Sequence, residues 1–329
     1  MIPNSDQMPV IQSAYRSPNV LFNRHLQTIY PAIFRKPSVP NYFRERISTP
    51  DDDFLDLDWL KNDNKHLVII SHGLEGNSSR AYVRGMANIF FRNGIDVLCW
   101  NYRGCSEEPN LKPHSYHSGA TEDLEWVIKH SLTKGYKLIS LIGFSLGGNM
   151  NLKYLGETST AKFPELKSCV VFSVPLNLKS CSIQLHKRSN YLYERRFLKS
   201  FFAKIREKSK RLQEVDKNYL KFVKSVFDFD EYYTAPLSGY RSAIDYYDQC
   251  SSKNFIKSIK IPTLVVNALN DPFLGPECSD PNEFLNSSNV WLDLPLHGGH
   301  CGFSLFNNSY FWSELKALEF IQSKSIKKM

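Results

Sequence analysis

The sequence predicts an α/β fold with a mostly parallel central sheet flanked by helices. Six short runs rich in β-branched and other apolar residues, each bounded by Gly, Pro, Asn or Ser, have the length of strands. Stretches with the apolar period of helices lie between them. Because the strand runs are almost continuously apolar, both faces of the sheet must be covered, which is typical of parallel sheets. The 329 residues, 42% hydrophobic and 22% charged, suffice for a large core.

The predicted elements follow one another in a regular order. Residues 1–45 form an N-terminal arm that we expect to pack on the body, and its apolar side chains are expected to face inward rather than a membrane: Val20, Leu21, Phe22 and Leu26. Alternating apolar and acidic residues within Ile47–Leu60 predict an antiparallel edge hairpin. The predicted strands are Leu67–Ser71, Ile95–Trp100, Leu138–Gly143, Cys169–Val174, Pro262–Asn267 and Asn289–Leu294, and the clearest helices are Thr121–Leu132 and Tyr310–Ile321.

The segment 176–239, called the cap segment below, has a different character. The strand signal vanishes there, and helices rich in basic and aromatic residues replace it. We therefore expect a helical cap inserted between two parts of the core, residues 46–175 and 240–329. Twelve basic against four acidic side chains between Lys179 and Lys217 match the whole net charge of +8. A solvated helix face and a transient contact with an anionic membrane surface are both compatible with this charge.

Composition also bears on class and location. No apolar run approaches the roughly 18 to 20 residues of a membrane span, and the N-terminus lacks the basic and apolar regions of a secretory signal. Seven cysteines occur without a C-x-x-C pair, so reduced thiols are expected. We therefore expect a cytoplasmic protein. Since the basic charge is confined to one segment, we expect no specific nucleic-acid binding.

The sharpest chemical signal is a G-x-S-x-G pattern, Gly143 to Gly147, centred on Ser145. It follows a predicted strand and precedes a helix-forming stretch, which is the context of a strained turn that exposes a nucleophilic serine. Glycines flank the serine because side chains there would collide with neighbouring backbone. A purely structural tight turn is the alternative interpretation, and the strand and helix on either side of the turn disfavour it.

A serine nucleophile requires a general base and an acid that orients it. Asp271 and His300 each follow a predicted strand, in the chain order Ser, Asp, His that this arrangement requires. Neutral His300 would take the Ser145 proton, and Asp271 would hold its tautomer. Asp271, which precedes a proline, can also be read as a turn initiator.

An oxyanion hole needs two backbone N–H donors. We expect Leu146, directly after the serine, to supply one, and Leu74, in the loop after the first central strand, to supply the other. His72 in that loop is expected to organise hydrogen bonds rather than carry protons. Two histidine clusters, His297–Cys301 and His114–His117, lack a convincing full set of ligands, so we expect no metal and no cofactor.

These motifs together resemble the YheT-like group of the α/β-hydrolase fold superfamily. The resembling stretches cover nearly the whole chain: Asn23–Ile29, Asp52–Trp59, His72–Gly76, Asn101–Ser106, Tyr116–Gly119, Gly143–Leu155, Thr234–Leu237, Asp271–Phe273 and His297–His300. The resemblance implies the α/β-hydrolase fold and a serine hydrolase whose relatives include esterases and lipid-acting enzymes. The family's catalytic triad maps onto Ser145, Asp271 and His300.

The combined prediction is a serine hydrolase that cleaves carboxylic esters with short- to medium-chain or lipid-like acyl groups through an acyl-enzyme on Ser145. Transfer of the acyl group to an alcohol is one alternative, because the same acyl-enzyme yields an ester when water is excluded. A non-catalytic binder of small molecules on the same fold is the other. The sequence leaves the oligomeric state open.

Overall fold

One nine-stranded sheet runs through the computed structural model, which describes residues 10–158, 162–285, 287–306 and 308–325. Its strands are β1 (Val10–Ile11), β2 (Phe43–Ser48), β3 (Phe54–Leu60), β4 (His66–Ser71), β5 (Asp96–Asn101), β6 (Leu138–Phe144), β7 (Leu166–Phe172), β8 (Thr263–Val266) and β9 (Val290–Asp293). Their order across the sheet is β1-β9-β8-β7-β6-β4-β5-β3-β2. The pairs β2–β3 and β3–β5 are antiparallel, and every other pair is parallel.

Helices cover both faces of this sheet. They are α1 (Arg24–Phe34), α2 (Ala81–Arg92), α3 (Thr121–Thr133), α4 (Leu146–Glu157), α5 (Leu178–Leu185), α6 (Tyr191–Lys208), α7 (Val226–Phe229), α8 (Ala235–Leu237), α9 (Ala243–Cys250) and α10 (Trp312–Ser325). One core cluster joins the sheet to α3 and α4 through residues such as Leu124 and Met150. A second joins the other face to α2 and α10 through Phe90 and Ile321. Burial of these two apolar layers is the main stabilising term.

The predicted fold class is confirmed. All six predicted strands are present within three residues of the expected bounds, and the two predicted helices are α3 and α10. Among the strands, the largest difference between predicted and observed bounds is in β7, which begins at Leu166, ahead of its most apolar stretch. Strand β1 was not predicted, because two residues paired with β9 form no periodic pattern.

The predicted edge hairpin is confirmed as β2 and β3, although β2 begins inside the segment assigned to the arm. Every residue of β3 is buried, including Asp56 and Asp58. Their cross-strand neighbours Arg46 and Arg44 hold them in ion pairs with N–O distances of 2.7 Å. The acidic positions of β3 are therefore covered by β2 and not solvated.

The regular secondary-structure elements of the cap segment are all helical. It contains α5 to α8 and one π-helical stretch, Asp230–Thr234, and none of its residues, all of which the structure describes, lies in a strand. Phe201 of α6 and Val226 of α7 belong to a small cluster that includes Leu74 and Phe273 of the core. The cap segment thus packs over the loops that follow β4 and β8.

The expectation that the apolar side chains of the N-terminal arm all face inward is wrong. Leu21 is buried, but Val20, Phe22 and Leu26 are exposed by 64%, 79% and 42%. Leu26 is exposed because α1 presents only one side to the body, through the buried residues Gln27 and Pro31, and Val20 and Phe22 precede α1 in the chain. In the part of the chain that the structure describes, no helix is long and apolar enough to cross a membrane.

Candidate active site

Ser145 lies in the turn between β6 and α4 with the backbone conformation of a strained elbow. Its φ of 54° and ψ of −122° are rare for a residue with a side chain. The surroundings require glycine at two positions: a Cβ on Gly143 would lie 2.6 Å from the Cα of Gly148, and one on Gly147 would lie 2.5 Å from the carbonyl oxygen of His72. The G-x-S-x-G pattern is therefore a consequence of close backbone packing.

The structure brings the three predicted side chains together. The Nε2 atom of His300 lies 3.0 Å from Ser145 Oγ. The Nδ1 atom of His300 lies 2.9 Å and 3.1 Å from the two carboxylate oxygens of Asp271. Asp271 is buried, and His300 is exposed enough to line a cavity. A proton on Nδ1 is thus held by the carboxylate, and Nε2 is left as an acceptor for the serine hydroxyl.

The electrostatics of His300 favour its charged form. Burial lowers the pKa of His300, but the Asp271 carboxylate and then the Cys301 thiol raise it, and the net shift is upward from the ordinary value. An imidazolium formed at this position is therefore stabilised by the adjacent carboxylate. Stabilising the imidazolium helps proton removal from Ser145 during reaction, and it also requires a higher pH for the resting ring to be neutral.

The two residues predicted to supply the oxyanion donors, Leu74 and Leu146, line the same cavity as Ser145. Leu146 is the first residue of α4, so its N–H lies outside the intrahelical hydrogen bonds. Leu74 lines the same cavity as Ser145. The N–H groups of its neighbours Gly73 and Glu75 donate to tyrosine hydroxyl groups at 2.9 Å and 2.8 Å, whereas the Leu74 N–H has no such partner among the described residues. Both predicted donors are thus available to a ligand.

Glu75 ties this loop to the cap segment, a role that the sequence analysis missed. Its Oε1 accepts hydrogen bonds from Tyr116 Oη at 2.7 Å and from Lys204 Nζ at 2.6 Å, and its Oε2 accepts one from the hydroxyl of Ser200. Its φ of 53° is left-handed. Ser200 and Lys204 lie one turn apart on α6 and are oriented by helix geometry. The sequence signal that could have identified this role of Glu75 is its position directly after Leu74, the residue predicted to supply an oxyanion donor.

Helix α1 holds the histidine loop, a second contribution that was not predicted. The Thr28 hydroxyl accepts the N–H of His300 at 2.9 Å. The Gln27 Oε1 accepts the N–H of Gly298 at 2.9 Å and the Asn270 side-chain amide at 2.8 Å. Gln27 and Thr28 belong to the Asn23–Ile29 stretch, whose side chains have no role in the predicted site. The arm therefore connects the loops that carry His300 and Asp271.

A cavity of about 300 Å³ is lined by Ser145 and His300. Most of its wall is apolar, and the cap segment supplies a large part of it, including Leu178, Leu185, Phe201, Val226 and Phe229. On another side it is lined by the arm through Thr28, Pro31 and Ala32. Its size and apolar lining are typical of a small-molecule site.

His72 and His117 have identifiable structural roles. The Nδ1 of His72 donates to the Gly73 carbonyl at 2.8 Å and its Nε2 accepts a backbone N–H at 3.3 Å, while burial lowers the pKa of His72 to about 3. This neutral ring organises the loop as expected. Burial likewise lowers the pKa of His117 to about 3, and its Nδ1 accepts the N–H of Gly119. No group of three or more His, Cys, Asp or Glu side chains suited to a metal ion occurs in the described part of the chain.

Comparison with known proteins adds independent information. The model of the alpha/beta hydrolase fold family matches residues 66–305. The chain is 34% identical over 289 residues to "Putative esterase YheT" of Escherichia coli (strain K12), which covers 85% of this chain and 84% of that protein. It is 34% identical over 313 residues to Phospholipase ABHD3 of Bos taurus, covering 91% and 75% of the two chains. The solved esterase Pf2001 of Pyrococcus furiosus has the same fold, with 20% identity, a TM-score of 0.57 and coverage of 88% and 99%.

Proposed function

The chain belongs to the YheT-like group of the α/β-hydrolase fold family and is a hydrolase of the esterase and lipase type, and we propose that it cleaves carboxylic esters through an acyl-enzyme on Ser145. The observation that carries this proposal is the continuous line of contacts from Ser145 Oγ to His300 and on to the buried Asp271, at the wall of an apolar cavity. The names of the relatives support an ester as substrate.

The reaction follows from this geometry in two balanced steps. His300 accepts the hydroxyl proton as Ser145 Oγ attacks the ester carbonyl, and the N–H groups of Leu74 and Leu146 stabilise the oxyanion. The protonated histidine then donates that proton to the departing alcohol, which leaves an acyl group on the serine. Water, deprotonated by His300, attacks the acyl-enzyme, and the carboxylic acid is released as the proton returns to Ser145.

We propose a short- to medium-chain or lipid-like acyl group as the part of the substrate that enters the cavity. The walls supplied by Leu178, Phe201 and Phe229 offer apolar contact and few hydrogen-bond partners along their length. Burying each methylene there contributes about 0.8 kcal/mol to binding, so chain length decides specificity. Separately from ester cleavage, we propose a transient contact with an anionic membrane surface that involves the basic cap segment.

The test is hydrolysis of p-nitrophenyl esters from acetate to palmitate, together with labelling by a fluorophosphonate. We expect a chain-length optimum and labelling in the wild type, and loss of both in Ser145→Ala. Ser131→Ala is the matched control, because Ser131 is a buried serine whose hydroxyl donates to the Val127 carbonyl within α3. Wild-type protein that is folded but neither hydrolyses nor labels would overturn the proposal and favour a non-catalytic binder. Formation of alkyl esters on addition of alcohol would identify acyl transfer.

A further inference from the structure

Helix α1 is apolar on two sides. Its inner side lines the cavity through Pro31 and Ala32. On its outer side, and at Phe22 just ahead of its N-cap, large apolar side chains are exposed to solvent: Phe22 by 79%, Leu26 by 42%, Ile29 by 39% and Ile33 by 60%. A helix of a globular protein normally keeps its solvent side polar. This exposed stripe therefore needs a partner.

Apolar residues of neighbouring elements extend the stripe into a larger surface. His25 of α1 stacks on Tyr193 of α6, which places the exposed Leu192 beside α1. Tyr30 packs against Phe306, which is 41% exposed. Through Gln27, α1 also contacts the loops after β8 and β9, which carry two further exposed leucines. The α1 face is defined here as Phe22, Leu26, Ile29, Ile33, Leu192, Leu269, Leu296 and Phe306.

Unpaired cations accompany this face. Lys187, Arg188, Arg196 and Lys199, at the end of α5 and the start of α6, are exposed, and Arg24 opens α1. None of them lies within ion-pair distance of a carboxylate in the ranges that the structure describes. Glu194, the acidic residue among them, is buried and engaged by His186 and the N–H of Val226. The stretch of the cap segment that contacts α1 through Tyr193 therefore carries uncompensated positive charge.

We propose that the α1 face docks on an anionic lipid surface. Apolar side chains flanked by basic ones are the combination that binds the interfacial region of such a membrane. A second copy of the chain fits less well, because a symmetric dimer through this face would bring its own cations together. Because the inner side of α1 lines the cavity, docking would place lipid acyl chains next to a helix that forms part of the cavity wall. This last consequence rests on the proposed function, whereas the docking itself does not.

The test is co-sedimentation with vesicles of phosphatidylcholine, with and without phosphatidylglycerol, using the full chain carrying Ser145→Ala so that turnover cannot contribute. We expect binding that requires the anionic lipid and weakens with salt. Leu26→Ser with Ile33→Ser should lower the partition coefficient at least about tenfold. Arg188→Ser with Arg196→Ser should remove most of the preference for anionic vesicles.

The matched control is Phe43→Ser with Leu111→Ser, which are exposed by 65% and 49% and lie near the β2–β3 hairpin. It should bind as the parent does. Thermal unfolding and hydrolysis of p-nitrophenyl acetate, measured without Ser145→Ala, should be unchanged by the Leu26 and Ile33 substitutions. Absence of binding to anionic vesicles, equal binding by the apolar variant, or a dimer that dissociates on these substitutions would each overturn the proposal. If vesicles bind but no ester is cleaved, the proposed function fails and the docking surface stands.

Discussion

The substitution Asp271→Asn tests the proposed mechanism most directly. In the structure both carboxylate oxygens of Asp271 face Nδ1 of His300, at 2.9 Å and 3.1 Å. An asparagine fits the same space but presents an amide donor or a neutral carbonyl. A donor there makes Nδ1 the acceptor and moves the proton to Nε2, which lies 3.0 Å from Ser145 Oγ. The ring then cannot accept the serine proton.

The expected loss is large and has a pH signature. A wrong tautomer in a triad of this kind lowers kcat by about 10⁴-fold, which corresponds to about 5.4 kcal/mol of transition-state stabilisation. The upward shift in the pKa of His300 comes from the Asp271 carboxylate against the effect of burial. Since the base must be neutral, wild-type kcat/KM should rise with pH through a value above the ordinary histidine pKa of about 6.5. Without the carboxylate, the acid limb of the residual activity should move to lower pH.

The assay is hydrolysis of the best p-nitrophenyl ester over a range of pH values. Asp293→Asn is the matched control, because Asp293 is also a buried aspartate, at the end of the neighbouring strand β9, and has no contact with His300 among the described residues. It should retain activity within about twofold. A loss of less than about tenfold in Asp271→Asn, or an unchanged acid limb, would refute the assigned role of Asp271.

Three further predictions address the elbow, the cap segment and the oxyanion loop. Gly143→Ala should destabilise the fold by about 3 kcal/mol or more in chemical denaturation, because its Cβ would lie 2.6 Å from the Cα of Gly148; a loss below about 1 kcal/mol would contradict this. Lys208→Met should lower the free energy of unfolding by about 2 kcal/mol in the same measurement, because the Nζ of Lys208 donates to the carbonyl groups of residues 112–114 at 3.0 to 3.1 Å. An unchanged denaturation midpoint would argue against this anchor. Glu75→Gln should lower kcat about tenfold with little change in KM, because the loop that carries the proposed oxyanion donor loses its anchor on α6. An effect on KM alone would instead indicate that Glu75 contributes to substrate binding.

Parts of the site that depend on short stretches of chain were accessible to prediction. The elbow is one contiguous strand, turn and helix, so the glycine spacing around Ser145 already encodes its strained turn. Asp271 and His300 could be proposed because the chain order Ser, Asp, His and a preceding strand are both visible in the sequence. Their side chains meet in the structure, and their chemical roles stay predictions until the experiments above are done.

Contacts between distant segments could not be anticipated in this way. The Thr28 hydroxyl meets the N–H of His300 across 272 residues, and Lys204 meets Glu75 across 129. The arm was expected to bury its apolar residues, yet α1 turns only one side to the body and leaves Leu26 and its neighbours exposed. When apolar residues occur on all sides of a helix, no local pattern predicts which side will pack against the body.

The amino-acid sequence by itself therefore determined strands β2 to β9, the order of the site residues and the glycine-flanked turn, because these depend on periodicity and on steric limits within a few residues. The tertiary structure alone decided that β1 joins the far edge of the sheet, that α1 supports the histidine loop, and that Glu75 links the loop after β4 to the cap segment. Such pairings are chosen by the fit of whole surfaces brought together by folding.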